Sequence, residues 1–336
     1  MDLLHSYQPV ATQSLKALLA DSVDFAGTFP PASLSLGEAV DAYRRYRETK
    51  EAWMLGRFVC EARRLTEMES YFERFRTPPP VRFSVLAGDS RKLDVFHDSF
   101  ERDVEEILSF RNHHRNDIRI AMIEVKVPAE ILASDVIKMS EFLRTVGATL
   151  GRHDLQRVDT FFELPVDDNL RQTLPILTGA IKARERDREQ TQNDRGRVGI
   201  KIRTGGTRAD AFPSTESVGF VISTCNADGV RFKATAGMHH PLRHYRESVK
   251  SMMHGFLNIF AASAFAAQEN MDEKDLVAIL NDQRASSFSF SKDGVGWKGL
   301  RVSVESIERA RRDLAVSFGS CSFEEPVEDL RSLGLI

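Results

Sequence analysis

Short β-branched and aromatic runs alternate with longer amphipathic stretches at a repeat of about 30 to 40 residues, which predicts an α/β protein built from βα units. Strict alternation calls for parallel strands, because parallel neighbours need a crossover connection. Seven such units plus one more near the C-terminus fit a closed (β/α)8 TIM-like barrel better than the alternative, an open doubly wound parallel sheet. The length of 336 residues suits a single barrel domain over residues 1–336.

The candidate strands are Val23–Ala26, Leu55–Cys60, Val81–Ala87, Ile118–Val127, Thr160–Leu164, Val198–Thr204 and Val230–Ala236. The helices that follow them, in order, are Leu36–Arg47, Glu61–Phe75, Phe96–Phe110, Ala129–Leu150, Asn169–Arg188, Thr215–Asn226 and Tyr245–Gln268. An eighth strand has two candidates. Ser286–Ser291 (SSFSFS) has strand composition, but KDGVGWKG after it reads as a hairpin turn and return, so 286–303 is a candidate insertion. Leu314–Phe318 follows a helix at Val304–Arg312 and runs into SFGSCS. Periodicity alone leaves both open. Thr77–Pro80 (TPPP) and the charged run Arg184–Arg197 are candidate flexible segments. Acids and bases interleave in the latter, as on an exposed helix end.

Hydrophobic residues at 42% and charged residues at 28% give a globular balance. A net charge of -3 argues against a general nucleic-acid binder. Cys60, Cys225 and Cys321 are few, far apart and odd in number, which is the pattern of reduced thiols. The segment MDLLHSYQPVATQ lacks a basic region followed by an apolar run, so no secretory signal is expected. The most apolar stretch, Phe256–Ala267, is shorter than the roughly 20 residues that span a bilayer. These observations predict a cytoplasmic protein with neither a membrane nor a nucleic-acid partner. The apolar segment Met252–Ala267 leaves a homo-oligomer open.

Functional groups of a barrel lie where strands end. The second strand carries Arg57, the fourth Glu124 and Lys126, the fifth Glu163, the sixth Lys201 and Arg203, and the seventh Lys233 and Thr235. Residues two apart on a strand face the same way, so Glu124 goes with Lys126, Lys201 with Arg203, and Lys233 with Thr235. Charges on strands covered on both faces are costly to bury unless paired or used. One or two Lys–Glu pairs plugging the interior would be the structural explanation. Five cations against two carboxylates leave positive charge over, which the phosphate or carboxylate of a small anionic substrate would neutralise.

Three late loops add to this. Gly205 and Gly206 end the sixth strand, Gly237 ends the seventh, and Ser320 and Ser322 lie in a small-residue loop before a helix expected from Phe323. Glycine lets backbone N–H groups approach an anion, and late barrel loops beside a helix N-terminus are a common phosphate position.

The segments KIRTGG, FKATAG and FGSCS resemble deoxyribose-phosphate aldolase, a family of Schiff-base aldolase barrels, over about fifty residues. The resemblance implies a lyase or aldolase acting on a small phosphorylated or carboxylated carbonyl compound, with no cofactor. It implies Lys201 as the Schiff-base lysine, Lys233 lowering its pKa by like-charge repulsion, and Glu124 as a proton relay. A lysine is nucleophilic only when deprotonated, so that logic is physically sound. Arg203 stands where the family has a small residue, and His239-His240-Pro241 has no counterpart there.

The histidines carry a rival expectation. A helix starting at Pro241 would put His240 and His244 on one face at metal-competent spacing. With Glu124 or Glu163 they would hold a divalent metal ion for a metal-dependent lyase or isomerase. The alternative for His239 and His240 is hydrogen bonding to substrate. A third expectation, from a different class, is a non-catalytic anion-binding barrel. Asp24 is placed to approach the pocket. Cys60 and Cys321 read as buried, inert thiols, with Cys321 the better nucleophile of the two because its loop precedes a helix.

Overall fold

A computed structural model describes residues 11–75, 78–88, 92–190, 195–268 and 271–336. Residues 1–10, Thr77 of the TPPP segment and residues 191–194 of the charged run therefore lie outside the described residues. The strands in chain order are β1 (Val23–Phe25), β2 (Leu55–Glu61), β3 (Val81–Ala87), β4 (Ile118–Lys126), β5 (Asp159–Leu164), β6 (Val198–Arg203) and β7 (Arg231–Thr235). They continue with β8 (His244–Arg246), β9 (Ser251–Met253), β10 (Phe288–Phe290), β11 (Gly294–Trp297), β12 (Leu300–Ser303) and β13 (Ala315–Ser320).

Eight of these close in the order β1–β13–β7–β6–β5–β4–β3–β2, all parallel where they pair. Because β1 pairs with both β2 and β13, the sheet has no open edge, and the doubly wound alternative is excluded. The fold is a (β/α)8 barrel. Its eighth strand is the later candidate, Ala315–Ser320. The earlier candidate, SSFSFS, belongs to a separate antiparallel sheet, β10–β11–β12. Lys298 (φ 45°) and Gly299 (φ 87°) make the two-residue turn between β11 and β12, the left-handed geometry that suits a tight hairpin. The insertion is thus a three-stranded meander, one strand more than expected.

Three expected helices are broken, each for a local reason. Within Glu61–Phe75 only Leu65–Met68 is α-helical, flanked by 3-10 turns at Ala62–Arg64 and Glu69–Phe75. Its buried residues Ala62, Leu65, Met68, Phe72 and Phe75 recur mostly at every third position, which matches the tighter winding. Ala129–Leu150 divides into Ala129–Leu132 and Val136–Arg152, because the Asp135 carboxylate accepts from the Ile137 and Lys138 amides at 3.0 Å and starts a new helix. The β8–β9 hairpin replaces the start of Tyr245–Gln268, and the buried apolar helix runs only over Phe256–Gln268. No helix among the described residues is long and apolar enough to cross a membrane.

Period-two alternation sorts the barrel side chains. On β4, β6 and β7 the residues Ile123, Val125, Ile200, Ile202, Phe232 and Ala234 join the hydrophobic layer under the helices. Their neighbours Glu124, Lys201 and Lys233 are buried as well, on the opposite face of each strand, inside the barrel. The interior is therefore polar and ionic, which prepares a site.

Candidate active site

Six charged side chains form one chain across the barrel interior. Lys201 Nζ lies 2.8 Å from Glu163 Oε2 and 2.6 Å from Glu124 Oε2. The other oxygen of Glu124, Oε1, accepts from Lys233 Nζ at 2.6 Å and from the Ser84 hydroxyl at 2.6 Å. Lys233 also donates to Asp24 Oδ2 at 2.7 Å, and Arg57 Nη1 donates to Asp24 Oδ1 at 2.9 Å. The Ser317 hydroxyl completes the shell of Asp24 at 2.6 Å. The strand register explains the convergence: Lys126, Glu163, Lys201 and Lys233 lie level on β4, β5, β6 and β7.

The burial of this chain is nearly complete, with Lys201 4% and Lys233 1% exposed. Burial pulls the Lys201 amine toward neutrality, but the adjacent Glu124 and Glu163 carboxylates outweigh it and hold its pKa above the ordinary lysine value. Burial likewise opposes ionisation of Glu124, and Lys201 and Lys233 overcome it, so its pKa is depressed. Asp24 is brought down to about 2 by Lys233 and Arg57 against the same penalty. The expectation that Lys233 depresses the Lys201 pKa is overturned: Glu124 sits between the two amines and screens each from the other. The expected excess of positive charge is confined to Lys126 and Arg203, because the other three cations are balanced. Asp24 joins Glu124 and Glu163, so three carboxylates face Arg57, Lys201 and Lys233.

These shifts set a pH response. The folded-state pKa values of Glu124 and Asp24 lie below their unfolded values near 4, so their stabilisation is present above pH ~4 and lost as pH falls toward ~2. Urea midpoints are expected to drop over that interval, and the drop should be shallower in Glu124→Gln. Parallel acid limbs for the two proteins would mean that Glu124 titrates normally.

Above the ionic chain lies a cavity of about 1160 Å³ at the C-terminal ends of the strands. Its floor includes Glu124, Glu163, Lys201 and Lys233, and its walls include Lys126, Arg203, Thr235, Gly237 and His239. Lys126 and Arg203 are exposed and have no ion-pair partner among the described residues, so both are free to meet an anion. Gly206 borders the cavity and Gly205 does not. A Cβ on Gly205 would come 2.9 Å from the Gly237 Cα and 2.5 Å from the Phe212 ring, so this glycine serves close loop packing. Arg57 lies beneath the floor, committed to Asp24.

The two serines are also spoken for. The Ser320 hydroxyl donates to the Ser322 carbonyl at 2.6 Å, and the Ser322 hydroxyl accepts from the Glu325 amide at 3.2 Å, so both organise the turn into the last helix. Pro241 starts no helix, since the chain enters β8 at His244. The His240 and His244 rings do pack edge to face at 4.3 Å, and three of their four nitrogens are occupied, with His244 Nε2 buried and without a partner among the described residues. His240 Nδ1 pairs with Asp329, its Nε2 accepts from Arg246 at 2.9 Å, and His244 Nδ1 donates to the Leu242 carbonyl at 3.0 Å. No group of three or more His, Cys, Asp or Glu among the described residues is arranged to hold a metal ion. The residues present do not fit the divalent cation of the rival expectation.

Asp24 holds a more central place than its sequence position announces, and Arg246 and Glu325 join the site without a sequence signal. A lone acid inside the apolar run VDF was a usable signal for the first, because an aspartate there must find a partner. Arg246 and Glu325 reach the cavity from the β8–β9 hairpin and the last helix, and no local pattern announces them. No family model matches this chain, and no curated protein matches it either.

Proposed function

We propose that this barrel is a Schiff-base lyase of the aldolase type, making or breaking a C–C bond next to the carbonyl of a small phosphorylated or carboxylated compound, with Lys201 as nucleophile. The observation that carries the reading is a buried lysine amine at the floor of the cavity, held between two carboxylates and sharing one of them with a second lysine.

The amine is charged at rest, so the first step is a proton transfer. Glu163 is the acceptor best placed, because its side chain is partly open to the cavity. Neutral Lys201 then attacks the carbonyl carbon, and Glu163 returns the proton as the carbinolamine loses water. The resulting iminium takes up the electron pair of the Cα–Cβ bond as it breaks and becomes a neutral enamine, while the β-hydroxyl gives its proton to Glu163 and leaves as a carbonyl. Lys233 keeps Glu124 ionised, and Glu124 stabilises the positive charge that the Lys201 nitrogen carries as ammonium and as iminium. Lys126 and Arg203 at the mouth suit the anionic end of the substrate.

The test is reductive trapping. Sodium borohydride with a panel of small phosphorylated and carboxylated aldehydes and ketones is expected to leave a secondary amine on Lys201, located by peptide mass spectrometry. A panel that gives no adduct, or adducts only on exposed lysines, overturns the reading.

A further inference from the structure

We propose that Cys321, His239 and Glu325 form a second nucleophilic centre in the wall of the same cavity, one that adds covalently to small conjugated (α,β-unsaturated) carbonyl compounds. The three residues come from separate elements. Cys321 follows β13, His239 lies in the loop after β7, and Glu325 is in the first turn of the helix Glu324–Ser332. His239 Nε2 lies 3.9 Å from Cys321 Sγ, the outer reach of a thiol–imidazole contact. The opposite ring nitrogen, Nδ1, lies 3.0 Å from Glu325 Oε2. Carboxylate, imidazole and thiol thus stand in line, Nε2 facing the thiol and Nδ1 the carboxylate, with the Ser320 hydroxyl also 3.4 Å from Nδ1, and all three residues border the cavity. This is the arrangement in which a base activates a nucleophile and a third group orients the base, and such contacts are commonly loose before a ligand binds.

The electrostatics agree with the geometry. Burial opposes protonation of His239, but the Cys321 thiol and the Glu325 carboxylate outweigh it and push the imidazole up to about 9. The hydrogen bond from His239 holds the Glu325 carboxyl below its ordinary value against burial, and the Arg246 and His240 charges add to this. The other two thiols differ. Cys60 and Cys225 are buried with no imidazole beside them, and burial pushes the Cys60 thiol up to about 12. A protonated imidazole beside a thiol favours the thiolate, and the thiolate is the reactive form.

The ligand class follows from the reaction that closes without further components. His239 takes the thiol proton, and the Cys321 thiolate forms a bond to the β-carbon of the conjugated carbonyl. The C=C π pair moves to give an enolate, and His239 returns its proton to the α-carbon. Nothing leaves and nothing is oxidised. A soft sulfur nucleophile prefers such a carbon, and the polar rim of the cavity can receive the carbonyl end.

The proposal stands independently of Lys201, and its test reads a different atom. The full chain is treated with methyl vinyl ketone and, separately, with iodoacetamide, and each cysteine is followed by peptide mass spectrometry. At pH 7 Cys321 is expected to react about tenfold or more faster than Cys60 and Cys225, with both reagents. Labelling of Cys321 at pH 7 should slow about tenfold in His239→Asn. Glu325→Gln changes a side chain that is 39% exposed, so the fold should persist while the rate falls by less. Equal labelling of the three cysteines overturns the proposal, as does a Glu325→Gln rate equal to that of the wild type. Iodoacetamide labelling with no methyl vinyl ketone adduct overturns the ligand class.

Discussion

Replacing Glu124 with alanine is expected to lower the free energy of unfolding by about 3–5 kcal/mol, the usual cost of removing one partner from a buried ion pair. Glu124 is the only carboxylate of the interior chain that touches both lysines, at 2.6 Å each. Its loss leaves Lys233 with Asp24, and Lys201 with Glu163, and it orphans the buried Ser84 hydroxyl. The remaining groups then hold three cations against two carboxylates where water is scarce. Urea denaturation at pH 7 checks this through the midpoint, with the slope unchanged if the barrel unfolds as before. The partly open Glu163 supplies the comparison: Glu163→Gln should cost clearly less, because solvent can take over part of its work. Equal costs at the two positions would mean that burial does not set the energetics of this chain.

The same network shows what could be read from residues alone. Glu124, Lys201 and Lys233 were legible because a charge at an inward position of an otherwise apolar strand has few explanations, and period two assigns it a face. Their pairing was not legible. Whether Lys201 meets Lys233 directly or through a carboxylate depends on the stagger between strands, and one intervening oxygen pair reverses the sign of the effect on the amine. Barrel closure was similarly beyond local pattern. SSFSFS and LAVSF are both sound strands, and the choice between them falls to β1, whose free edge needs a parallel partner and finds β13. Loop chemistry was the least legible. Gly205, Ser320 and Ser322 have the composition of an anion cradle, yet their contacts go to Phe212, to Gly237 and to neighbouring backbone.

The largest effect on activity is expected from Lys201→Met. With the aldehyde or ketone that traps on the wild type as substrate, turnover should fall by about 10⁴-fold or more, the scale on which removal of a covalent nucleophile acts. Methionine keeps the length and apolar stem of the lysine, so the change isolates the amine. Its neighbours do not become unbalanced without remedy: Glu124 keeps Lys233 and Ser84, while Glu163 can turn to cavity water. Lys126 and Arg203, exposed at the mouth, are untouched, so binding of the anionic end should survive within a few fold. The informative result is the split between the two readouts. Retained binding with lost turnover assigns the amine to bond making. Retained turnover would leave the Lys–Glu–Lys chain as a buried structural plug, and loss of both together would show that the floor of the cavity, and not the amine, had failed.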